Sequence, residues 1–213
     1  MDRALLKSNA KNQFGGGIFQ SLWLNALLAV VVYSLIVSAA SATVIGSLIV
    51  MGPLTYGITK IFLQLVYGSG KIDIGMLFDG FRDDFAGTFL IGFMSGLFVM
   101  LWSLLFIIPG IIKAYAYAMA YYIKVDHPDY DWRQCLKGSE EMMRGHKFDL
   151  FVLELSFIGW MIVGTLACGI GTLWVMPYME CTTANFYACL CANSAPQGGE
   201  FTQDPFDVPG APE

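Results

Sequence analysis

Four ionisable residues, Lys60, Lys113, Glu154 and Glu180, stand inside long apolar runs of this 213-residue chain. A charge at the centre of a bilayer costs about 2.5–3.5 kcal/mol on insertion scales, so such residues turn toward a bundle interior, find a partner and mark ligand sites or ion paths. Lys60 and Glu154 each lie about six residues from the inner end of their runs, whereas Lys113 and Glu180 follow prolines 109 and 177 within about one helical turn. The matched depths predict two charge pairs. Lys60 with Glu154 is a candidate structural pair, and Lys113, Tyr115, Tyr178 and Glu180 form a candidate polar site for a substrate or lipid headgroup. The plainer alternative is that Lys113 and Glu180 snorkel to the interface beside the tyrosines, whose rings favour that level.

Other reactive residue types make no recognisable constellation. His127 and His146 lack the HExxH spacing of a zinc site. The run Glu140-Glu141-Met142-Met143-Arg144 is one residue short of the EExxxR pattern of membrane proteases, and no later apolar run carries a histidine. Five cysteines, Cys135, Cys168, Cys181, Cys189 and Cys191, include no CxxC pair. Cys189 and Cys191 are two apart and so point to different faces of a helix. These patterns predict no enzyme, no cofactor and no metal. Nor does any basic face suit nucleic acid, which needs a run of neutralised phosphates.

The elements that must position these residues are membrane helices. Hydrophobic residues make up 56% of the chain and charged residues only 14%, against about 25% charged in an average soluble protein. Apolar runs near 18–37, 44–66, 86–108, 111–123, 148–167 and 171–191 read as six spans, a helix of ~20 residues being needed to cross the hydrocarbon core. Ala40-Ser41-Ala42 resembles a signal-peptidase site, but the first run is too long for a secretory signal core. Pro109-Gly110 reads as the turn between the third and fourth spans. Gly92-x-x-x-Gly96 offers a close helix contact, although the favoured reading is the ordinary small-residue content of a membrane helix.

Three amphipathic segments, near 2–14, 72–85 and 131–146, read as helices on the membrane surface. In the first, Arg3, Lys7 and Lys11 share a stripe beside Leu6, Ala10 and Phe14. Ile74, Leu77, Phe78, Phe81 and Phe85 line one face of the second, with Asp79, Arg82, Asp83 and Asp84 opposite. Asp131 and Gln134 open the third as a capping box. The expected fold is therefore all-α: a single membrane domain over 1–192, built as three hairpins each preceded by a surface helix. This arrangement suggests an internal repeat. Residues 193–213 hold four prolines and four acidic residues without Lys or Arg, and read as a disordered acidic tail.

Ten of the twelve Lys and Arg residues fall in the N-terminal segment and in the loops after the second and fourth spans. The positive-inside rule then places both termini in the cytoplasm.

Several stretches also resemble a known family. NAK at 9–11, IPGIIKAYAYAMAYYI at 108–123, KGSEEMMRGHK at 137–147, LSFIGW at 155–160, GIGTLWVMPY at 169–178 and ANFY at 184–187 resemble the bacterial domain-of-unknown-function 975 family over nearly the whole chain up to the tail. The resemblance implies a small polytopic protein of the bacterial plasma membrane. It also implies a distant similarity to the membrane domain joined to some glycerophosphodiester phosphodiesterases, and it carries no site residues. The leading functional expectation is a non-enzymatic accessory, partner-binding or lipid-organising protein. Its partners would be the bilayer and a protein docking on the surface helices or tail. The alternative is a small-molecule or lipid transporter, which at this size would act as a homodimer or larger oligomer.

Overall fold

The computed structural model describes residues 3–13, 21–40, 44–68, 72–166 and 170–194. Phe14, Ser41-Ala42, Cys168 and the tail beyond Ser194 lie outside the described residues. Among them every regular element is helical: α1 (Arg3–Gln13), α2 (Ser21–Ala40), α3 (Val44–Val66), a 3-10 turn (Ile74–Phe78), α4 (Asp79–Arg82), α5 (Phe85–Leu105), α6 (Ile107–Tyr117), α7 (Ala120–Asp126), α8 (Trp132–Met142), α9 (Lys147–Leu166) and α10 (Ile170–Ser194). Three of these, α2, α3 and α5, are long and apolar enough to cross a membrane.

Helix α3 is the hub. It touches α1, α2, the 3-10 turn, α4, α5, α7 and α10, and 61% of its apolar window is buried, against 22% in α2 and 11% in α5. Leu54, Ile61, Phe62 and Leu63 of α3 are at most 1% exposed. Helix α5 presents Leu97, Met100, Leu101 and Leu104 outward, as a lipid-covered helix does. Sequence neighbours also pack together: α2 on α3, α5 on α6, and α9 on α10.

Pro109 does not form the expected turn. The chain reverses at Phe106, which is extended at φ -155 and ψ 140. Pro109 then sits in the first turn of α6, where a missing N–H costs nothing. The expected span at 111–123 is two helices, interrupted at Ala118 and Met119. Ser139 of α8 fills the break: its hydroxyl donates to the Ala116 carbonyl at 2.7 Å and accepts the Met119 N–H at 3.1 Å. Ser139 is fully buried, so Ser139→Ala leaves both main-chain groups without a partner. The expected cost is about 1–3 kcal/mol, read as a lower melting temperature together with faster amide exchange at Met119. Unchanged exchange there would sink the assignment.

The amphipathic segments are built into the bundle more deeply than surface helices. Leu6 and Ala10 bury α1 against α10 and α3. The segment at 72–85 is not one helix but the 3-10 turn followed by the single turn of α4, because Gly75 and Gly80 weaken helix there. Asp73 caps it by accepting the Gly75 N–H at 2.8 Å, and Leu77 is fully buried, while Phe78 and Phe85 stay exposed. Helix α8 opens with the expected capping box, the Asp131 N–H donating to Gln134 at 2.8 Å. It then packs on α5, α6 and α7.

Candidate functional site

Each lysine of the apolar runs takes its counter-charge from an amphipathic segment rather than from another span. Lys60 lies 2.7 Å from Asp79 and 3.1 Å from Asp83, so the expected Lys60 and Glu154 pair does not form. Lys113 lies 2.7 Å from Glu140 of α8, with the rings of Tyr117 and Trp102 at 5.5 and 5.9 Å from its ammonium. The expected grouping of Lys113 with Glu180 is therefore replaced as well. The reason is steric height: α4 and α8 climb beside α3 and α6, and their carboxylates arrive at the level of the lysines.

Hydrogen bonding to Lys113 holds the Glu140 carboxyl below its ordinary value. Asp84 is also lowered: burial raises it, but the Lys124 ammonium and the Gly87 N–H outweigh that effect. Both folded values lie below the unfolded ones, so the stability they contribute is complete above the ordinary carboxyl range, about pH 4. It is lost as pH falls through the folded values. The detergent-solubilised protein is expected to lose thermal stability between pH 5 and 3, and Glu140→Gln to lose less over that interval. An equal acid slope in the variant would rule out the Lys113–Glu140 contribution.

The remaining residues of the predicted polar site assemble differently. The Tyr115 hydroxyl of α6 donates to Glu154 of α9 at 2.6 Å, and the Tyr115 ring meets Phe151 edge-on at 5.9 Å. Tyr178 of α10 donates to the main-chain carbonyl of Lys7 at 3.1 Å. Its ring meets Phe157 edge-on at 5.5 Å. Glu180 is half-buried and within electrostatic range of Glu154, Tyr122 and Tyr33. So Glu154 joins the site in place of Lys113.

Tyr115 and Glu154, but not Tyr178 or Glu180, line a groove of ≈ 330 Å³ between α6, α9 and α10, together with Phe151, Leu155, Phe157, Ile158, Met161 and Met179. Its walls are apolar apart from the Tyr115–Glu154 hydrogen bond. Leu155 and Ile158 are 48% and 49% exposed, so the groove opens sideways, where lipid would lie. A cation from an unexpected element meets one of its lining rings: the Lys7 ammonium of α1 stands 4.3 Å from the centroid of the Phe157 ring. Burial lowers the Lys7 ammonium from its ordinary value. Lys7 and Phe157 were not legible as site residues. The only hint was the placement of Lys7 beside the apolar Leu6 and Ala10 stripe.

With this geometry in place, residues 104–194 match the family described as "Protein of unknown function (DUF975)". The match covers α6 to α10 and the end of α5, including every groove residue; NAK at 9–11 lies outside it. No curated protein and no solved structure matches the chain, so the expected likeness to phosphodiesterase membrane domains is not among these findings.

Proposed function

Starting from residues 104–194 as a segment of the DUF975 family, we propose that the protein is a non-enzymatic polytopic membrane protein that holds a lipid in the lateral groove of α6, α9 and α10. In this reading the six apolar runs span the bilayer as three hairpins, α6 and α7 together forming the fourth. Both termini then face the cytoplasm of a bacterial cell, a reading supported by the Lys and Arg distribution. The observation that supports it is the groove itself: apolar and open along the exposed flank of α9, with a carboxylate and a phenol at its polar end. Ligand sites combine mostly apolar walls with a few placed polar groups.

The test is extraction from native membrane directly into lipid nanodiscs, followed by mass spectrometry of everything that co-purifies at fixed ratio. A defined lipid that is lost when Ile158 is enlarged to tryptophan supports the groove. A second protein at fixed ratio instead supports docking on the tail or the amphipathic segments. One observation favours transport by an oligomer as a second reading. Two acids, Glu154 and Glu180, stand in the apolar helices α9 and α10, and intramembrane carboxylates line proton and ion paths. Flux in proteoliposomes that depends on both residues would establish transport, and its absence would remove it.

A further inference from the structure

We infer that the groove takes the headgroup of a zwitterionic phospholipid bearing a primary amine, with the ammonium on Glu154 and the phosphate on Lys7. The inference rests on the lipid-holding reading above. Opposite charges flank one short stretch of α9. Glu154 has the Tyr115 hydroxyl at 2.6 Å and no salt bridge with a described residue, although a carboxylate offers about four acceptor positions. Lys7 lies over the Phe157 ring at 4.3 Å and also forms no salt bridge with a described residue. Phe157 follows Glu154 by three positions, which puts the two on one face about 5–6 Å apart at their Cβ atoms.

Lys7 and Glu154 therefore approach neighbouring turns of α9, and no salt bridge joins them. Both side chains are partly buried, so each gains from a complementary charge. A zwitterion supplies both while adding no net charge. An anionic headgroup satisfies Lys7 alone, and a simple amine satisfies Glu154 alone. A choline headgroup has no N–H to donate to the carboxylate, whereas a primary ammonium makes charge-assisted hydrogen bonds. Beyond the polar end, Leu155, Ile158, Met161 and Met179 offer a wall for acyl chains, and methionine adapts to irregular shapes.

The full chain in nanodiscs of phosphatidylcholine, with equal minor fractions of phosphatidylethanolamine and phosphatidylglycerol, tests this by native mass spectrometry of lipid retained after stripping. Phosphatidylethanolamine is expected to be retained at a one-to-one ratio. Its retention should fall at least about tenfold in Glu154→Gln and in Lys7→Gln, the effect of losing one charged hydrogen bond. Lys7→Arg keeps the charge and should keep the lipid, which separates charge from fold, and the elution profile of each variant monitors assembly. Preferred retention of phosphatidylglycerol, or equal retention by wild type and both charge variants, overturns the headgroup assignment and leaves a groove of other selectivity. If no lipid is retained by any form, the lipid-holding reading falls with it.

Discussion

Lys124→Met is expected to cost about 3 kcal/mol, the lower end of the range for breaking a buried ion pair. The Lys124 side chain is 4% exposed and lies 2.6 Å from the Asp84 carboxylate. It also donates to the carbonyls of Pro128 at 2.7 Å and Tyr130 at 2.9 Å. An ammonium has three donors, and here all three are used. They tie the end of α7 to the cap of α5 and to the loop before α8. Methionine keeps the packing volume but strands two carbonyls and a carboxylate. Asp84 is 41% exposed and keeps the Gly87 N–H at 2.8 Å, so water relieves part of its loss. That places the cost low in the range. For a chain of this size the melting temperature should fall by about 6–12 °C, at ~2–4 °C per kcal/mol. Asp84→Asn should cost less than Lys124→Met, and the double variant should show coupling between them. A Lys124→Met shift under about 3 °C, less than the equivalent of one kcal/mol, would mean that the buried tie contributes little.

In sequence, Lys124 registers only as one more basic residue marking the cytoplasmic side. That assignment concerns which side of the membrane the residue faces, and it is silent on what the side chain touches. The same gap separates what was legible from what was not. The apolar runs locate α2, α3, α5, α9 and α10 to within a few residues, because length and continuous hydrophobicity alone specify such helices. The Asp131 and Gln134 capping box was equally local and equally legible. Counter-charges were not legible. Periodicity assigns Asp79, Asp83 and Glu140 to a polar face, but a helical wheel gives direction without height. Only the climb of α4 and α8 beside the long helices brings these carboxylates to Lys60 and Lys113.

The groove divides in the same way. Tyr115 and Glu154 were both conspicuous, as a tyrosine after a proline and as an acid in an apolar run. Depth counting nevertheless gave each the wrong companion, since residues at one level on different helices need not face each other. Tyr178 was conspicuous too, and it serves to hold α1 through the Lys7 carbonyl. Lys7 could not be found from sequence because α1 looks like a surface anchor, and its contact with Phe157 depends on a helix 150 residues further on.

Gly57→Ala and Gly80→Ala are each expected to cost about 3 kcal/mol, the top of the usual range for overpacking. A Cβ on Gly57 would run into the main chain of Leu77, and one on Gly80 into the main chain of Pro53. Main chain cannot swing aside as the tip of a side chain can, so α3 and the 74–82 segment would have to separate. Separation also draws Asp79 and Asp83 away from Lys60, leaving a lysine of the hub helix without its partners. The conspicuous small-residue motif is a poorer guide. In Gly92-x-x-x-Gly96, Gly92 packs within the chain, a Cβ there lying 3.3 Å from the Gly52 Cα, whereas nothing lies within 4 Å of one on Gly96. Gly96→Ala and Gly159→Ala, equally open, should therefore be neutral or stabilise by up to about 1 kcal/mol through helix propensity. Fluorescence-detected size-exclusion chromatography after a temperature ramp separates the two classes. If Gly57→Ala and Gly80→Ala melt with the open-site variants, α3 and the 74–82 segment do not meet through their main chains, and Lys60 must find its counter-charge elsewhere.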